Sequence, residues 1–236
     1  MEVFILVVSL VFTMNGDKGK LFSVDDLTGK STPLFYKKRY ELQDEVKASF
    51  ILMEKEALKS GVQLEIFSDY RSYEHQKRIW TRKYNRFLKD GMTPQDAISK
   101  IIEYSTIPGT SRHHWGTDVD VIDGNMERPK GDVLNEIHFE GKGVYSKLKK
   151  WMDERASEFG FCLVYTDDES RKGFKYEPWH YTYEPISREM LKAYLKIDIR
   201  TFLKKDRLTG SEYFTDAFMN QYVKNNILDI NPDVKN

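Results

Sequence analysis

Ser111-Arg112-His113-His114-Trp115-Gly116-Thr117-Asp118-Val119-Asp120 is preceded by Pro108-Gly109-Thr110 and followed by Val121-Ile122. A turn signal opens this stretch and a β-branched run closes it, so it reads as a loop feeding a strand. His113 then stands at the mouth of the strand and Asp120 inside it. An imidazole nitrogen and a carboxylate oxygen are ligands of the type that zinc takes. Gly116 between them suits a sharp bend that turns both side chains toward one ion. A third ligand must come from elsewhere, and Glu177-Pro178-Trp179-His180 is the other stretch equipped to supply it.

Periodicity places the elements on either side. Upstream, Val46, Phe50, Met53, Ala57 and Leu58 recur at helical steps over 44–59, and Gly61 ends that run. Leu64 and Ile66 alternate with polar neighbours in a short strand, 63–67, which delivers Ser68 to Arg71 onto the rim of a sheet. Ser72 is the N-cap of a helix running to about residue 89, with Gln76 one turn from Arg71. Thr93-Pro94 starts another helix, with Ala97, Ile98, Ile101 and Ile102 as its apolar face. Downstream, 123–141 is a polar, turn-rich excursion expected to shape access to the site. An amphipathic helix is expected over 142–158 and strands over 161–165 and 175–183, the second carrying Glu177 and His180. Further helices are expected from Ser187 and over 213–228. A few short strands among helices give an α+β fold, a small, largely antiparallel sheet with flanking helices. Residues 17–236 are read as a single domain.

Bulk composition excludes several classes. With 37 basic and 37 acidic residues, net charge steers the chain toward neither nucleic acid nor an anionic membrane. Aromatic residues at 14% argue against disorder. The single cysteine, Cys162, rules out an internal disulfide framework or a cysteine zinc cluster and reads as a small buried hydrophobe. The apolar run 3–12 is too short to span a bilayer but has the length of a signal-peptide core. Residues 1–16 are therefore expected to be a signal peptide, although Glu2 stands where a positive charge is usual; the alternative is a buried strand.

Three blocks together resemble a known family. Ser111-x-His113-x-x-Gly116-x-x-x-Asp120 and Glu177-x-Trp179-His180, with Ser68-Asp69-Tyr70-Arg71-Ser72 and Gln76 upstream, are similar to the zinc D-alanyl-D-alanine carboxypeptidases. These are bacterial cell-wall peptidases related to the vancomycin-resistance carboxypeptidases and phage endolysin peptidases. The blocks stand in the family's order and the resemblance covers about 64–197. It implies the hedgehog/D-Ala-D-Ala-peptidase-like fold and one Zn²⁺ per chain held by His113, Asp120 and His180. It also implies Glu177 as catalytic base and acid, with Arg71, Gln76 and Ser111 holding the substrate's carbonyl and terminal carboxylate.

The residues themselves are consistent with those roles. Two histidines and one carboxylate leave a fourth zinc position for water. On an unbroken strand Glu177 and His180 would face opposite ways, so a kink or bulge at Pro178 is needed to bring both to the metal. In an extended chain His114 would point away from the face that His113 presents. His75 and His138 are read as lying outside the site. Arg71 offers a fixed, always-charged fork of donors, or else serves as a structural ion-pair partner. Trp115 and Trp179 are expected to wall the pocket. Two positions depart from the family: Asp69 where glycine is usual, and Asp118 where alanine is common. Asp118 shares a strand face with Asp120, and so either stands behind the metal or lines the pocket.

The expected protein is an exported zinc carboxypeptidase that trims a C-terminal D-alanine from peptidoglycan stem peptides, with no nucleic-acid partner and no transmembrane anchor. The ligand set is shared by dipeptidases, L,D-carboxypeptidases and peptidoglycan endopeptidases of the same fold. A wall-binding zinc module without turnover would need neither Glu177 nor Arg71; a hedgehog-type zinc domain that uses the fold for recognition is a further alternative.

Overall fold

A computed structural model describes residues 22–235; the expected signal segment 1–16 lies outside the described residues. A short helix, α1 (Val24–Thr28), is closed at its start by a capping box between Ser23 and Asp26. In α2 (Asp44–Lys59) Val46, Phe50, Met53 and Ala57 are buried, as their spacing requires. β1 (Leu64–Ser68) leads into α3 (Tyr73–Lys89), where the Ser72 hydroxyl accepts a hydrogen bond from the His75 N–H. α4 (Pro94–Ile101) begins on its proline after the Thr93 cap. A 3₁₀ turn, Arg112–Trp115, precedes β2 (Asp118–Asp123).

The second half of the chain departs more from its sequence pattern. α5 (Ser146–Arg155) begins four residues later than expected and ends in a 3₁₀ turn, Ala156–Phe159. Residues 142–145 are taken up in a tight turn, in which the Tyr145 N–H donates to the His138 carbonyl (2.7 Å). Gly143 permits that turn, because a Cβ there would fall 2.4 Å from the His138 backbone. β3 (Phe161–Leu163) and β4 (His180–Tyr183) are shorter than expected. α6 (Glu184–Tyr194), α7 (Ile199–Asp206), α8 (Asp216–Tyr222) and α9 (Pro232–Lys235) complete the chain. The single helix expected over 213–228 is instead a 3₁₀ turn, then α8 capped by Thr215, then a turn of π-helix, Val223–Ile227.

The four strands form one antiparallel sheet in the order β1-β2-β4-β3. β2 is buried along its whole length. Its alternation sends Val119 and Val121 into a core shared with Phe50 and Met53 of α2 and Leu148 and Trp151 of α5. Asp118 and Asp120 face the other way. A second core joins α3, α4 and α6 through Trp80, Ile98 and Leu191, and takes Leu203, Phe214 and Tyr222 from the C-terminal segment. That segment is tied in by the Trp80 indole N–H, which donates to the Thr209 carbonyl (2.9 Å), and by the Tyr222 hydroxyl, which accepts from the Ile107 N–H (3.1 Å). The functional side chains gather on the polar face of β2, between the two cores. Among the described residues no helix is long and apolar enough to cross a membrane.

Candidate metal centre

The loop ahead of β2 is not extended but wound into the 3₁₀ turn Arg112–Trp115. Neighbouring side chains on such a turn diverge by about a third of a revolution, so His113 and His114 separate for a different reason than an extended chain would give. Gly116 ends the turn in the left-handed region (φ 65°), and a Cβ there would fall 2.5 Å from the Phe35 ring. His114 is structural. Its Nε2 accepts from the Gly109 N–H (3.1 Å) and its Nδ1 bonds the Arg71 carbonyl. Burial pushes its pKa down to about 3, so the ring is a neutral tie between the motif loop and the upstream block.

His113 is aimed by its other nitrogen. Nδ1 bonds the Asp69 carbonyl (2.8 Å), which turns Nε2 toward Asp120, 3.4 Å from Oδ2. The sheet supplies the third group, since Asp120 on β2 lies directly opposite His180 on β4. His180 Nδ1 stands 3.0 Å from Asp120 Oδ1. Ligand atoms of His113, Asp120 and His180 all lie within 4.8 Å of one another, and all three residues are buried.

Asp118 stands behind this group and is 0% exposed. Its Oδ2 meets His180 Nε2 (3.0 Å) and the Arg112 Nε–H (2.8 Å), while Oδ1 accepts from the Thr117 and Thr182 hydroxyls (2.7 and 2.6 Å). Burial opposes its charge, but Arg112 and His180 outweigh burial and hold the carboxyl well below the usual range. Asp69, the other departure, accepts the Glu41 N–H on its carboxylate (2.8 Å).

The donor set fits a divalent cation. Asp120 Oδ1 is buried and receives no well-formed hydrogen bond, although His180 Nδ1 is close. Burial disfavours charge on His180, yet the hydrogen bond to Asp118 and the close Asp120 carboxylate raise its pKa to about 10. Two carboxylates thus converge on one imidazole, and the site has a strong demand for positive charge. Two nitrogens and one oxygen at this spacing suit zinc.

Glu177 is not on a strand. The expected strand over 175–183 begins only at His180, because Glu177 to His180 form a turn closed by the His180 N–H to the Glu177 carbonyl (3.1 Å). The break at Pro178 brings Glu177 Oε2 to 3.5 Å from His180 Nδ1. Burial pushes the Glu177 carboxyl up to about 8, with His180 and Arg71 opposing and Asp120 adding.

Arg71 donates to Gln76 Oε1 (2.9 Å) and Ser68 Oγ (3.0 Å) and lines the cleft without a carboxylate at ion-pair distance among the described residues. Gln76 lies behind it, fully buried, its amide also donating to the Thr106 carbonyl (2.8 Å). Ser111 and Trp179 line the cleft of about 480 Å³, as do Asp132 and Glu136 of the 123–141 excursion. Trp115 does not wall it with them; its indole donates to the Leu27 carbonyl (3.1 Å) and its ring packs on Tyr194. The sequence pattern gave no weight to Arg112 or Thr182. An arginine and an aspartate six residues apart in an otherwise buried stretch were the available signal.

Residues 39–186, more than half of the chain, match the VanY family of D-alanyl-D-alanine carboxypeptidases. The chain belongs to this family. It is 34% identical over 128 residues to a D-alanyl-D-alanine carboxypeptidase of Enterococcus faecalis (strain ATCC 700802 / V583), an alignment covering 53% of this chain and 42% of that one. A D-alanyl-D-alanine carboxypeptidase of Enterococcus faecium is 25% identical over 171 residues, or 70% and 46% of the two chains. This VanY-family chain thus spans about half the length of these curated relatives. The solved structure of VanYB in complex with D-alanine-D-alanine has the same fold, with a TM-score of 0.51 and 23% identity over 70% of this chain and 84% of that one.

Proposed function

We propose that this chain is a zinc-dependent carboxypeptidase that removes the C-terminal D-alanine from peptidoglycan stem peptides. The observation that carries the reading is the meeting, in one cleft, of His113, Asp120 and His180 with a buried Glu177 and with Arg71, which among the described residues has no carboxylate at ion-pair distance. Family membership supports it, as does the D-alanine-D-alanine bound to VanYB, whose fold this chain shares. Such a substrate lies outside the cytoplasmic membrane, so the proposal includes export, for which residues 1–16 are the expected signal.

Each residue has a physical task. His113 through Nε2, Asp120 through its carboxylate and His180 through Nδ1 would hold the ion. When bound, zinc supplies a Lewis acid and lowers the pKa of a water. Glu177 takes a proton from the attacking water and returns it to the nitrogen of the departing alanine. Burial raises the carboxyl and favours the proton-holding half of that transfer, while a bound cation would favour the ionised form that accepts the first proton. Arg71 turns the N–H groups not used by Gln76 and Ser68 toward the substrate's carbonyl and terminal carboxylate, with Ser111 beside it. Gln76 acts through Arg71, fixing the plane of its guanidinium.

The primary test is mass spectrometry of muropeptides before and after incubation with the protein, with and without a chelator. Loss of one terminal alanine, blocked by the chelator and restored by zinc, is the expected result. Unchanged muropeptides with zinc present would remove the reading.

Two predictions concern the metal. The protein should purify with about one zinc per chain, and His113→Ala or His180→Ala should lose most of it. Full occupancy in both variants, by elemental analysis, would place the ion elsewhere. Asp118→Asn should weaken zinc binding by about 10- to 100-fold, because the carboxylate that orients His180 and strengthens its donor nitrogen is gone. Competition with a chromophoric chelator measures this. An unchanged zinc affinity would reduce Asp118 to a partner of Arg112 alone.

A further inference from the structure

α3 carries more positive charge into the cleft than the proposed chemistry uses. Arg82, Lys83 and Arg86 line the same cavity as Arg71, and Lys83 and Arg86 lie about one helical turn apart. The Lys83 ammonium donates to the Ser105 hydroxyl (2.5 Å). Among the described residues, no carboxylate lies at ion-pair distance from Lys83, Arg82 or Arg86. Lys100, which also lines the cleft, is matched by Glu103 (2.9 Å). Arg82 and Arg86 are exposed and could be solvated helix charges, but Lys83 is only partly exposed. Burial pushes its pKa down, and the charges of Arg71 and Arg86 add to that, while Asp132 and Glu177, both beyond ion-pair distance, oppose it only in part. An ammonium taken out of water without an anion is costly. An anion that arrives with the ligand removes that cost.

We propose that Lys83, with Ser105 and Arg86 beside it, is a second anion subsite that binds a carboxylate carried by the substrate peptide on the acyl side of the cut bond. Phe87, Ile101 and Tyr104 line the same cleft as Lys83 and offer apolar surface to the rest of the peptide. Arg71 and Ser111, beside the metal ligands, remain for the terminal carboxylate. The inference rests on the peptidase reading and narrows its substrate to peptides with an acidic residue ahead of the scissile bond.

The test uses zinc-loaded full-length protein and synthetic peptides ending in D-alanyl-D-alanine. Two share a free C-terminus and differ only in whether the carboxyl group of the upstream acidic residue is free or amidated; a third has that carboxyl free and the C-terminus amidated. Kinetics are measured on the wild type, and binding is measured by calorimetry on the Glu177→Gln protein. The wild type should favour the free upstream acid by about tenfold to a hundredfold, mainly through KM, as for a hydrogen bond to a charged group. Lys83→Met should bring that ratio close to one, and Lys83→Arg should restore part of it. The same acid-to-amide ratio in wild type and Lys83→Met overturns the subsite while leaving the peptidase intact. A Lys83→Met effect confined to the C-terminal acid-to-amide comparison overturns it too, because Lys83 would then serve the terminal carboxylate. Lys83-dependent binding of the acidic peptide without hydrolysis supports the subsite and removes the peptidase reading.

Discussion

Replacing Glu177 with glutamine is expected to lower kcat by about 10²- to 10⁴-fold, the range that a positioned general acid–base group supplies. Zinc content should stay at the wild-type level. The substitution keeps the shape of the side chain, and the turn that positions it is closed by backbone groups, the His180 N–H and the Glu177 carbonyl. The three ligand groups are untouched. Folding should not suffer, since burial already disfavours a charge at this position and a neutral amide avoids that penalty. The expected combination is therefore specific: normal zinc, normal or slightly raised Tm, KM little changed and turnover nearly gone. Turnover near that of the wild type would remove Glu177 from the chemistry. Lost zinc would instead make it a support of the metal ligands.

The parts of the site that were legible in the sequence are those set by local spacing. Ser72 and Thr93 cap helices where their positions require, and α2 begins and ends where its apolar period does. His113, Asp120 and His180 were legible as a set only because three blocks stand in one order. Nothing local states that Asp120 and His180 pair across β2 and β4; that register is decided by the valines that β2 must bury on its other face. The strand pattern over 175–183 was overridden at Pro178, where a proline that cannot donate to a ladder yields a turn. Asp118 is ambiguous in the sequence because two of its partners, His180 and Thr182 from β4, are more than sixty residues away. Gln76 follows Arg71 in the motif and was read as a substrate contact. Its place behind Arg71 comes from the carbonyl of Thr106, thirty residues on, which takes its amide.

What is cut can be separated from how it is cut by changing one group on the substrate. A stem peptide ending in free D-alanine should be hydrolysed, and the same peptide with a C-terminal amide should be slower by about 10³-fold or more. The difference originates at Arg71. Its guanidinium has five N–H donors, of which one meets Gln76 and one meets Ser68, and no carboxylate of the described residues pairs with it. A half-buried cation with donors left over is complementary to a substrate carboxylate and poorly matched to a neutral amide, which adds N–H groups where acceptors are needed. Sites built around such donors reject analogues steeply, by about 10⁴–10⁵ in favourable cases, because their own polar groups are left unpaired. Arg71→Ala should therefore slow the acid far more than the amide, so that the two rates converge. Equal cleavage of acid and amide by the wild type would sink the carboxypeptidase reading and favour an endopeptidase, whose groove must run open past the scissile bond. The zinc ligands and Glu177 would be unaffected by that outcome, since the same metal chemistry serves either cut and only the group facing Arg71 decides between them.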